Sequence, residues 1–480
     1  MPLESLLEQT VPFSTYMHEC LFGEDGYYTS GKVDFKEHFV TYPAKSPVFG
    51  WTLARYAIQL YKSMGRPSGF TILEQGAGNG DLAKTMLDYI SLKDPGMYES
   101  IDYQIEEISP ALIERQKEKT ISHNNISWKN KSAIELGEDL EGLIITNELP
   151  DAFPVEVIKN INGEIKQRYV KINDNGNCEP VYLDLSVEVK EYFEKYQINV
   201  KSGVSIPINI NAQEWMKNLS SRLKKGSIIT IDYTQDFSNL DPENEPIRCY
   251  GRINGEKVLR DKEIQKETIY LHPSNLDLTS DVDFSVLEKI CNQFGFKTTF
   301  SSEQMNLLIS LGIKEVVEES VDLFEKFDPD NYRGFINGIN LAYQNSFYIQ
   351  ISSKNVDIKL DQEEFEYYGC WIVGPRECVV VEYDENNVAT QIYSKYLLLI
   401  NENNPPAKIK KGRCDFFKSD LKIDSRLKNE DDNFDEVLSL LRNEQLLLSY
   451  DPNNVVPRDF KNLKPEFSAQ RPGEDFPKEI

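Results

Sequence analysis

Apolar and polar positions alternate after residue 69 in blocks that predict strands separated by helices. Phe70 to Glu74 is a short apolar run typical of a buried strand, and Asp81 to Ile90 has helical spacing. A second pair follows, with a strand over Tyr103 to Glu107 and a helix over Pro110 to Thr120. Shorter runs predict a third and a fourth strand, Ile126 to Trp128 and Gly142 to Thr146. Strands separated by helices of about ten residues predict an α/β fold with a parallel, doubly wound sheet.

The rest of the chain divides into regions of different pattern. Helical stretches flank a glycine- and tyrosine-rich turn near the N-terminus, a hairpin is indicated around Asp174 to Asn177, and a loop-rich stretch comes later. The predicted elements after the hairpin are a helix (212–223), a strand (227–232), a helix (284–294), two strands (296–300 and 347–351), short β runs from 370 and a helix near 434–443. The predicted regions are an N-terminal helical arm or lid (1–65), a main domain (66–355) with insertions at about 155–210 and 236–280, and an additional C-terminal α+β domain (356–480).

The composition disfavours several classes of partner. Acidic residues outnumber basic ones by 78 to 53, and the resulting net charge of −25 disfavours nucleic acid and anionic membranes. No apolar run approaches the roughly 18 residues of a membrane span, and the first residues lack the features of a targeting signal. Seven cysteines without a CxxC pair favour reduced thiols, and four histidines without ligand spacing argue against a metal site. We therefore expect a cytoplasmic protein that has neither a metal nor a membrane span.

A glycine-rich turn follows the first predicted strand directly, in the stretch Glu74-Gln75-Gly76-Ala77-Gly78-Asn79-Gly80. Glycines let the backbone turn tightly and approach a ligand, and the next helix supplies amide donors. The third glycine comes one residue too early for the dinucleotide fingerprint, and no Lys-Ser/Thr pair follows as in a P-loop. The spacing therefore favours a cofactor without phosphates, S-adenosylmethionine, over a tight turn without a ligand.

An acidic residue at the end of the second strand is expected to accept the ribose hydroxyls of that cofactor. Glu107 is our candidate, and Glu106, on the opposite face of the strand, is the alternative because side chains alternate along a strand. Either one could instead be a solvated carboxylate. We expect Glu74 to face the amino group of the methionine moiety or the amides of the turn.

The segment that follows the fourth predicted strand is unusually rich in polar residues. Asn147, Glu148 and Asp151 lie among two prolines at the carboxyl end of that strand, where ligands bind in open α/β sheets. Methyl transfer is an in-line displacement in which the protein mostly positions and desolvates, and paired carboxylates can orient and deprotonate a cationic acceptor. These residues are therefore our catalytic candidates, although Asp151 could instead cap the next helix.

Together these stretches resemble the MidA-like methyltransferases, the family of the mitochondrial complex I assembly factor that methylates a protein arginine. The resemblance covers roughly residues 10–350. The matching stretches are Val11-Pro12, Tyr16-Met17, Gly26-Tyr27-Tyr28, Phe39 to Pro43, Phe49-Gly50, Glu74 to Gly80, Glu107 to Leu112, Gln116, Asn147 to Pro154, Trp215, Ile231 to Tyr233, Arg248 to Tyr250, Asp277 to Thr279, Val282 to Phe284, Gln304 and Leu311 to Ile313.

The resemblance implies a seven-stranded, mainly parallel, Rossmann-like class I methyltransferase sheet with an insertion between the fourth and fifth strands. It also implies that the glycines of the turn line the cofactor, that Glu107 holds its ribose and that Asn147, Glu148 and Asp151 face the transferred methyl. The residues that it places in a lid over the cofactor are Thr41, Pro43, Phe49 and Gly50. The arm's aromatic residues could instead be plain core; these are Tyr27, Tyr28 and Tyr42.

The chain departs from this family where the acceptor is expected to bind. Thr234 stands where the family usually has Gly, Asp281 where it has His, and Glu245-Pro-Ile-Arg248 where it has Gly-Thr-Leu-Arg. The acceptor thus stays open between a protein or peptide arginine and a nitrogen or oxygen of a specialised metabolite. A scaffold protein that binds the cofactor with little turnover is an alternative from another class, a nucleic-acid methyltransferase is a weaker third, and a homodimer is left open.

Overall fold

The computed structural model describes most of the chain up to residue 358 and three later strands. The described residues are 3–29, 42–235, 237, 240, 242, 245–253, 256–258, 262–313, 316, 347–358, 360, 369–374, 377–383 and 389–396. The helix expected near 434–443 lies outside them.

The described elements alternate between strand and helix over much of the chain. The strands are β1 (Thr10–Pro12), β2 (Thr71–Gln75), β3 (Asp102–Glu107), β4 (Ile126–Asn130), β5 (Leu140–Asn147), β6 (Glu156–Ile161), β7 (Glu164–Ile172), β8 (Cys178–Leu183), β9 (Ser205–Ile208), β10 (Leu223–Tyr233), β11 (Ile247–Tyr250), β12 (Arg252–Ile253), β13 (Glu256–Lys257), β14 (Asp277–Ser280), β15 (Lys297–Glu303), β16 (Phe347–Lys354), β17 (Gly369–Gly374), β18 (Glu377–Tyr383) and β19 (Ala389–Tyr396). The helices are α1 (Phe13–Phe22), α2 (Tyr42–Lys45), α3 (Pro47–Ser63), α4 (Asp81–Lys93), α5 (Pro95–Ser100), α6 (Pro110–Lys119), α7 (Val187–Tyr196), α8 (Ile210–Arg222), α9 (Lys262–Leu271), α10 (Phe284–Gln293) and α11 (Gln304–Ser310), with 3-10 turns at Glu4–Leu6 and Pro150–Ala152.

The chain is divided into two compact units. The first comprises residues 1–41, 57–303 and 346–359, and the second comprises 42–56, 304–345 and 360–480. The central sheet, β1 to β14 and most of the helices belong to the first unit. The second contains α2, the start of α3, α11 and the antiparallel sheet β17-β18-β19.

The central sheet has seven strands in the spatial order β15-β16-β10-β5-β2-β3-β4. Strands β4, β3, β2, β5 and β10 run parallel, and β16 runs antiparallel to both of its neighbours, β10 and β15. The strand order reverses between β2 and β5, because the chain adds β3 and β4 on one side before it crosses to β5. The carboxyl ends of β2 and β5 therefore flank the crevice in which open α/β sheets bind ligands.

Local sequence explains where the helices around this crevice begin. Ser109 caps α6 by accepting from the Leu112 amide, and Pro110 occupies the first turn, where its missing N–H costs nothing. Asn209 caps α8 by accepting from the Ala212 amide at 2.8 Å. The sequence predicted these helices, strands β2 to β5, β10, β15 and β16, and the hairpin at Asp174 to Asn177, each within a few residues.

A second sheet fills the insertion between β5 and β10. Strand β7 pairs with β8 along one edge and with β6 and β1 along the other, and β9 extends the sheet from β6. Buried apolar residues of α1, β6, β7, α9, β11 and β14 form a core of their own, which includes Phe13, Tyr16 and Tyr27. The described part of the N-terminal arm before residue 30 is therefore packed on the insertion.

The loop-rich interpretation of residues 236–280 is wrong in part. Strand β11 pairs antiparallel with β14, and α9 lies between them in sequence. Each strand has only four residues, too few for alternation to stand out, and each is stabilised by its partner.

Candidate active site

The glycine turn connects β2 to α4 in a conformation that suits glycine. Gly76, Gly78 and Gly80 have φ values of +68°, +53° and +82°. A Cβ atom at Gly76 would lie 2.9 Å from Leu149 Cδ1, and one at Gly80 would lie 3.2 Å from Gln116 Cα. Side chains at these positions would be strained and would fill the turn, so glycine keeps the backbone open to a ligand.

Glu107 ends the neighbouring strand β3 with a buried carboxylate. It is 5% exposed, and its Oε1 accepts from the Ser109 amide at 3.0 Å. Its Oε2 accepts from Gln116 Nε2 at 3.1 Å. Burial raises the pKa of Glu107, although these hydrogen bonds oppose the shift.

Glu106 points away from Glu107 into a buried ion pair. Arg222 donates to both of its oxygens, at 2.8 and 3.1 Å, and Gln75 Nε2 donates at 2.6 Å. Burial alone would raise the pKa of Glu106, but the hydrogen bonds from Arg222 and Gln75 hold it below its usual value. The alternative that either carboxylate is solvated is therefore wrong, since both are nearly inaccessible.

Glu74 is also buried, one residue before Gln75 in β2. Its Oε2 accepts from the Tyr103 hydroxyl at 2.6 Å. Burial raises the pKa of Glu74 to about 7, and the Tyr103 bond opposes that shift. Tyr103 is thus a partner of this carboxyl that the sequence did not suggest.

Asn147 and Glu148 lie at the carboxyl end of β5, beside the crevice. Asn147 Nδ2 donates to Glu148 Oε1 at 3.0 Å, and the Glu148 amide donates to the Ile231 carbonyl of β10 at 2.9 Å. Glu148 has a φ of +51°, a left-handed conformation that costs a non-glycine residue about 1–3 kcal/mol. Such strain is typical of functional sites, where the surrounding structure holds one residue in place.

Four carboxyl groups gather at this end of the sheet. Glu148 and Asp151 lie after β5, Asp232 lies in β10 and Asp277 begins β14. Burial raises the pKa of Asp277 to about 7, and burial with repulsion from Asp277 raises the pKa of Glu148 to about 7. Burial and repulsion from other members of the group also raise the pKa of Asp151 and Asp232. We call these four residues the acidic cluster; the sequence predicted two as site residues and assigned no role to Asp232 and Asp277.

The surrounding contacts hold individual members of the acidic cluster. Asp232 accepts from the amides of Asp151 and Tyr233, at 3.0 and 2.7 Å. The Tyr28 hydroxyl of the arm donates to Asp277 Oδ1 at 2.8 Å. Asp151 lies inside the 3-10 turn Pro150–Ala152, so the helix-capping alternative for it is wrong.

We expect Asp277→Asn to stabilise the protein at alkaline pH. Asp277 has a folded pKa of about 7 against 3.8, so its cost to folding is absent below about pH 4 and grows as pH rises to 7. Asparagine removes that cost and still accepts from Tyr28, so the free energy of unfolding should rise by about 2–4 kcal/mol at pH 8 and by less at pH 5. Urea denaturation at both pH values measures this. Asp174→Asn, at an exposed aspartate, is the control, and an equal gain at both pH values would contradict the assignment.

The residues at the three positions that depart from the family pattern each make hydrogen bonds near the acidic cluster. Asp281 accepts from Arg248 at 2.8 Å, and Thr234 donates to the Val282 carbonyl at 2.8 Å. Glu245 pairs with both terminal nitrogens of the buried Arg168, at 2.8 and 3.0 Å. The substituted positions therefore brace β11 and the segment after β14 beside the acidic cluster.

Three of the predicted lid residues, Pro43, Phe49 and Gly50, belong to the second unit. Thr41 lies outside the described residues. Pro43 in α2 and Gly50 in α3 are buried, and the Tyr42 and Phe49 rings pack 4.7 Å apart.

Comparison with known proteins identifies the family. A family model described as "Putative S-adenosyl-L-methionine-dependent methyltransferase" matches residues 52–301, more than half of the chain. The chain belongs to this methyltransferase family. The methyltransferase is thus an enzyme whose cofactor is S-adenosylmethionine, as the spacing of the turn predicted.

Named relatives and a solved structure agree with this family. A Drosophila melanogaster relative is named "Protein arginine methyltransferase NDUFAF7 homolog, mitochondrial". The methyltransferase is 21% identical to it over 317 residues, and this alignment spans 59% of this chain and 67% of the relative. The Danio rerio protein arginine methyltransferase NDUFAF7, mitochondrial, is 23% identical over 315 residues, 60% of this chain and 70% of the relative. A Burkholderia thailandensis structure bound to S-adenosyl-homocysteine superposes with a TM-score of 0.60 at 23% identity, covering 74% of this chain and 90% of that one. The predicted class I methyltransferase fold is confirmed.

The crevice of the methyltransferase fits a nucleoside cofactor without phosphates. Cβ atoms at Gly76 and Gly80 would crowd Leu149 and Gln116, so the turn has room only for glycine at these positions. A buried carboxylate, Glu107, ends the next strand. Gln116 Oε1 is buried without a hydrogen-bond partner among the described residues. Across the same residues, no group of three or more His, Cys, Asp or Glu side chains could hold a metal ion, and none of the described helices has the length and apolar character that a bilayer crossing demands.

Proposed function

We propose that the methyl acceptor is a cationic nitrogen, the arginine side chain of a protein or peptide. The acidic cluster is the observation that carries this proposal. Its carboxyls, with Asp281 nearby, outnumber Arg248, the cation that interacts with them. A guanidinium would relieve their mutual repulsion, and it could donate bidentate hydrogen bonds to these carboxylates. The relatives named protein arginine methyltransferases support the same class.

The cofactor assignments rest on the crevice between β2 and β5. Gly76, Gly78 and Gly80 would line the cofactor, and Glu107 would accept its ribose hydroxyls. Glu74 accepts a hydrogen bond from Tyr103 and would face the amino group of the cofactor's methionine moiety. When bound, S-adenosylmethionine supplies an electrophilic methyl group.

The chain's own residues would prepare the acceptor for this methyl group. Asp151 and Asp277 would hold the guanidinium, and Glu148 would take the proton that its nitrogen loses on methylation. A pKa of about 7 suits this proton transfer, because a large fraction of the Glu148 side chain is deprotonated at neutral pH and the carboxylate still binds a proton well. Asn147 would orient Glu148 through its hydrogen bond.

The arm, the lid and the C-terminal region remain proposals. Thr41, Pro43 and Gly50 would cover the cofactor as parts of a lid within residues 1–65, with the methyltransferase domain at 66–355 and an additional domain at 356–480. A homodimer also remains a proposal.

The proposed compartment is a reducing one. Among the described residues, Cys20, Cys178 and Cys291 are free thiols. The cytoplasm was the expectation from the sequence, whereas the fly and zebrafish relatives are named mitochondrial. The cytoplasm keeps thiols reduced.

Labelled methyl transfer tests the acceptor class. We expect the protein, incubated with methyl-labelled S-adenosylmethionine and arginine-containing peptides, to give label that survives alkali. Matched peptides with lysine or glutamine in place of arginine are the controls. Alkali-labile label, or transfer to a hydroxyl compound alone, would contradict the arginine proposal. Tight binding of S-adenosylhomocysteine with no transfer to any peptide would favour the scaffold alternative.

A further inference from the structure

Gln116 of α6 contacts three of the residues proposed to hold the cofactor. Its Nε2 donates to the Gly78 carbonyl at 2.9 Å and to Glu107 Oε2 at 3.1 Å. Its Cα, Cβ and Cγ atoms lie where a Cβ atom at Gly80 would be 3.2–3.4 Å away. One side chain therefore connects the turn after β2 with the carboxylate that ends β3.

The environment of Gln116 allows little freedom. The residue is fully buried, and the Thr120 hydroxyl holds its carbonyl at 2.8 Å in the helix. Both amide hydrogens have an acceptor, while Oε1 has no donor among the described residues. An amide is required for this arrangement, because a carboxylate would repel Glu107 and an apolar side chain would leave two buried acceptors unpaired.

We propose that Gln116 is a positioning residue of the cofactor site, which fixes the Glu107 carboxylate toward the nucleoside ribose and joins it to the glycine turn. The Ser109 amide holds the other oxygen of Glu107, so Gln116 determines the remaining rotation of that carboxylate. This inference concerns the cofactor and does not depend on the acceptor; it rests only on the ribose role of Glu107.

Calorimetric titration with S-adenosylhomocysteine tests the proposal without an acceptor. Gln116→Met keeps the length of the side chain and removes the donor, and it should weaken binding about tenfold to a hundredfold, as expected for a hydrogen bond to a charged group. Ser91→Ala in α4 is the control, because it removes a side-chain hydrogen bond to a helix carbonyl that involves neither Gln116, Glu107 nor the glycine turn. We expect its affinity to stay within about threefold of the wild type.

Analogues without a ribose hydroxyl separate positioning from a general structural role. The 2′-deoxy and 3′-deoxy forms of adenosylhomocysteine should bind the wild type at least about tenfold more weakly than the parent compound. In Gln116→Met that discrimination should fall below about threefold, as in Glu107→Gln, and the double variant should lose little more than Glu107→Gln alone. Equal weakening of parent and deoxy forms in Gln116→Met, or none, would overturn the proposal.

Two further variants keep the outcome interpretable. Gln116→Glu retains the polar volume and should bind at least as weakly as Gln116→Met, because it repels Glu107; binding equal to the wild type would contradict the proposal if Gln116→Met does not fold. Unchanged discrimination in Glu107→Gln would remove the ribose role of Glu107 and with it the basis of the inference, and it would leave the acceptor proposal intact.

Discussion

Replacing Glu148 with glutamine should lower kcat/KM for an arginine peptide by about a hundredfold to ten-thousandfold, the usual contribution of a positioned general base. Glutamine has nearly the same shape and can retain the left-handed backbone of Glu148. It cannot accept a proton, so the nitrogen of the acceptor must lose its proton to water. Initial rates with the purified protein measure the effect.

The binding of S-adenosylhomocysteine should stay within about threefold in Glu148→Gln, because we propose that Glu148 faces the acceptor and not the cofactor. The wild-type kcat/KM should fall as pH drops below about 7, where Glu148 becomes protonated, and the variant should lose this dependence. Glu156→Gln is the matched control: it is also a buried glutamate with a raised pKa, but it pairs with Ser14 and Gln167 outside the acidic cluster. A rate for Glu148→Gln within threefold of the wild type would refute the assignment.

Arg222→Met should destabilise the protein by about 3–5 kcal/mol, because it leaves the buried Glu106 carboxylate without its cation. Both partners are at most 1% exposed at the side chain, and Arg222 also donates to the Glu138 carbonyl at 3.1 Å. Urea denaturation at pH 7 gives the free energy of unfolding directly.

Controls separate the ion pair from the packing of Arg222. Lys131→Met removes the second cation near Glu106, at 3.7 Å and partly exposed, and should cost about 1 kcal/mol or less. Combining Arg222→Met with Glu106→Gln removes both charges, so the double variant should be clearly more stable than the sum of the two single losses predicts. Strictly additive losses would show that the pair contributes through packing alone.

The central sheet could be predicted because its signals are local. Strands β5 and β10 contain short apolar runs, and the turn from Gly76 to Gly80 needs glycine because its φ values are positive. The positions of Asn147 and Glu148 at a strand end followed from the same pattern.

Contacts between distant segments could not be predicted from local pattern. Tyr28 reaches Asp277 across 249 residues, and Arg222 reaches Glu106 across 116. Nothing near Glu106 in the sequence indicates a buried cation, so it looked like a solvated group. Likewise, Gln116 appeared only as a residue of a matching stretch, because its two acceptors come from other elements.

The departures from the family pattern acquire a physical meaning in the structure. Asp281 and Glu245 introduce carboxylates, and each pairs with an arginine. These pairs hold β11 against the insertion sheet and beside the acidic cluster. Changes there should alter the choice of acceptor more than the binding of cofactor.

A crystal structure with S-adenosylhomocysteine would show directly whether the crevice between β2 and β5 holds the cofactor. We expect the nucleoside to lie on the turn from Gly76 to Gly80, with its ribose hydroxyls on Glu107 and its sulfur facing the side of the crevice that holds Asn147 and Glu148. A nucleoside bound elsewhere, or a ribose that contacts neither Glu107 nor the turn, would contradict this expectation.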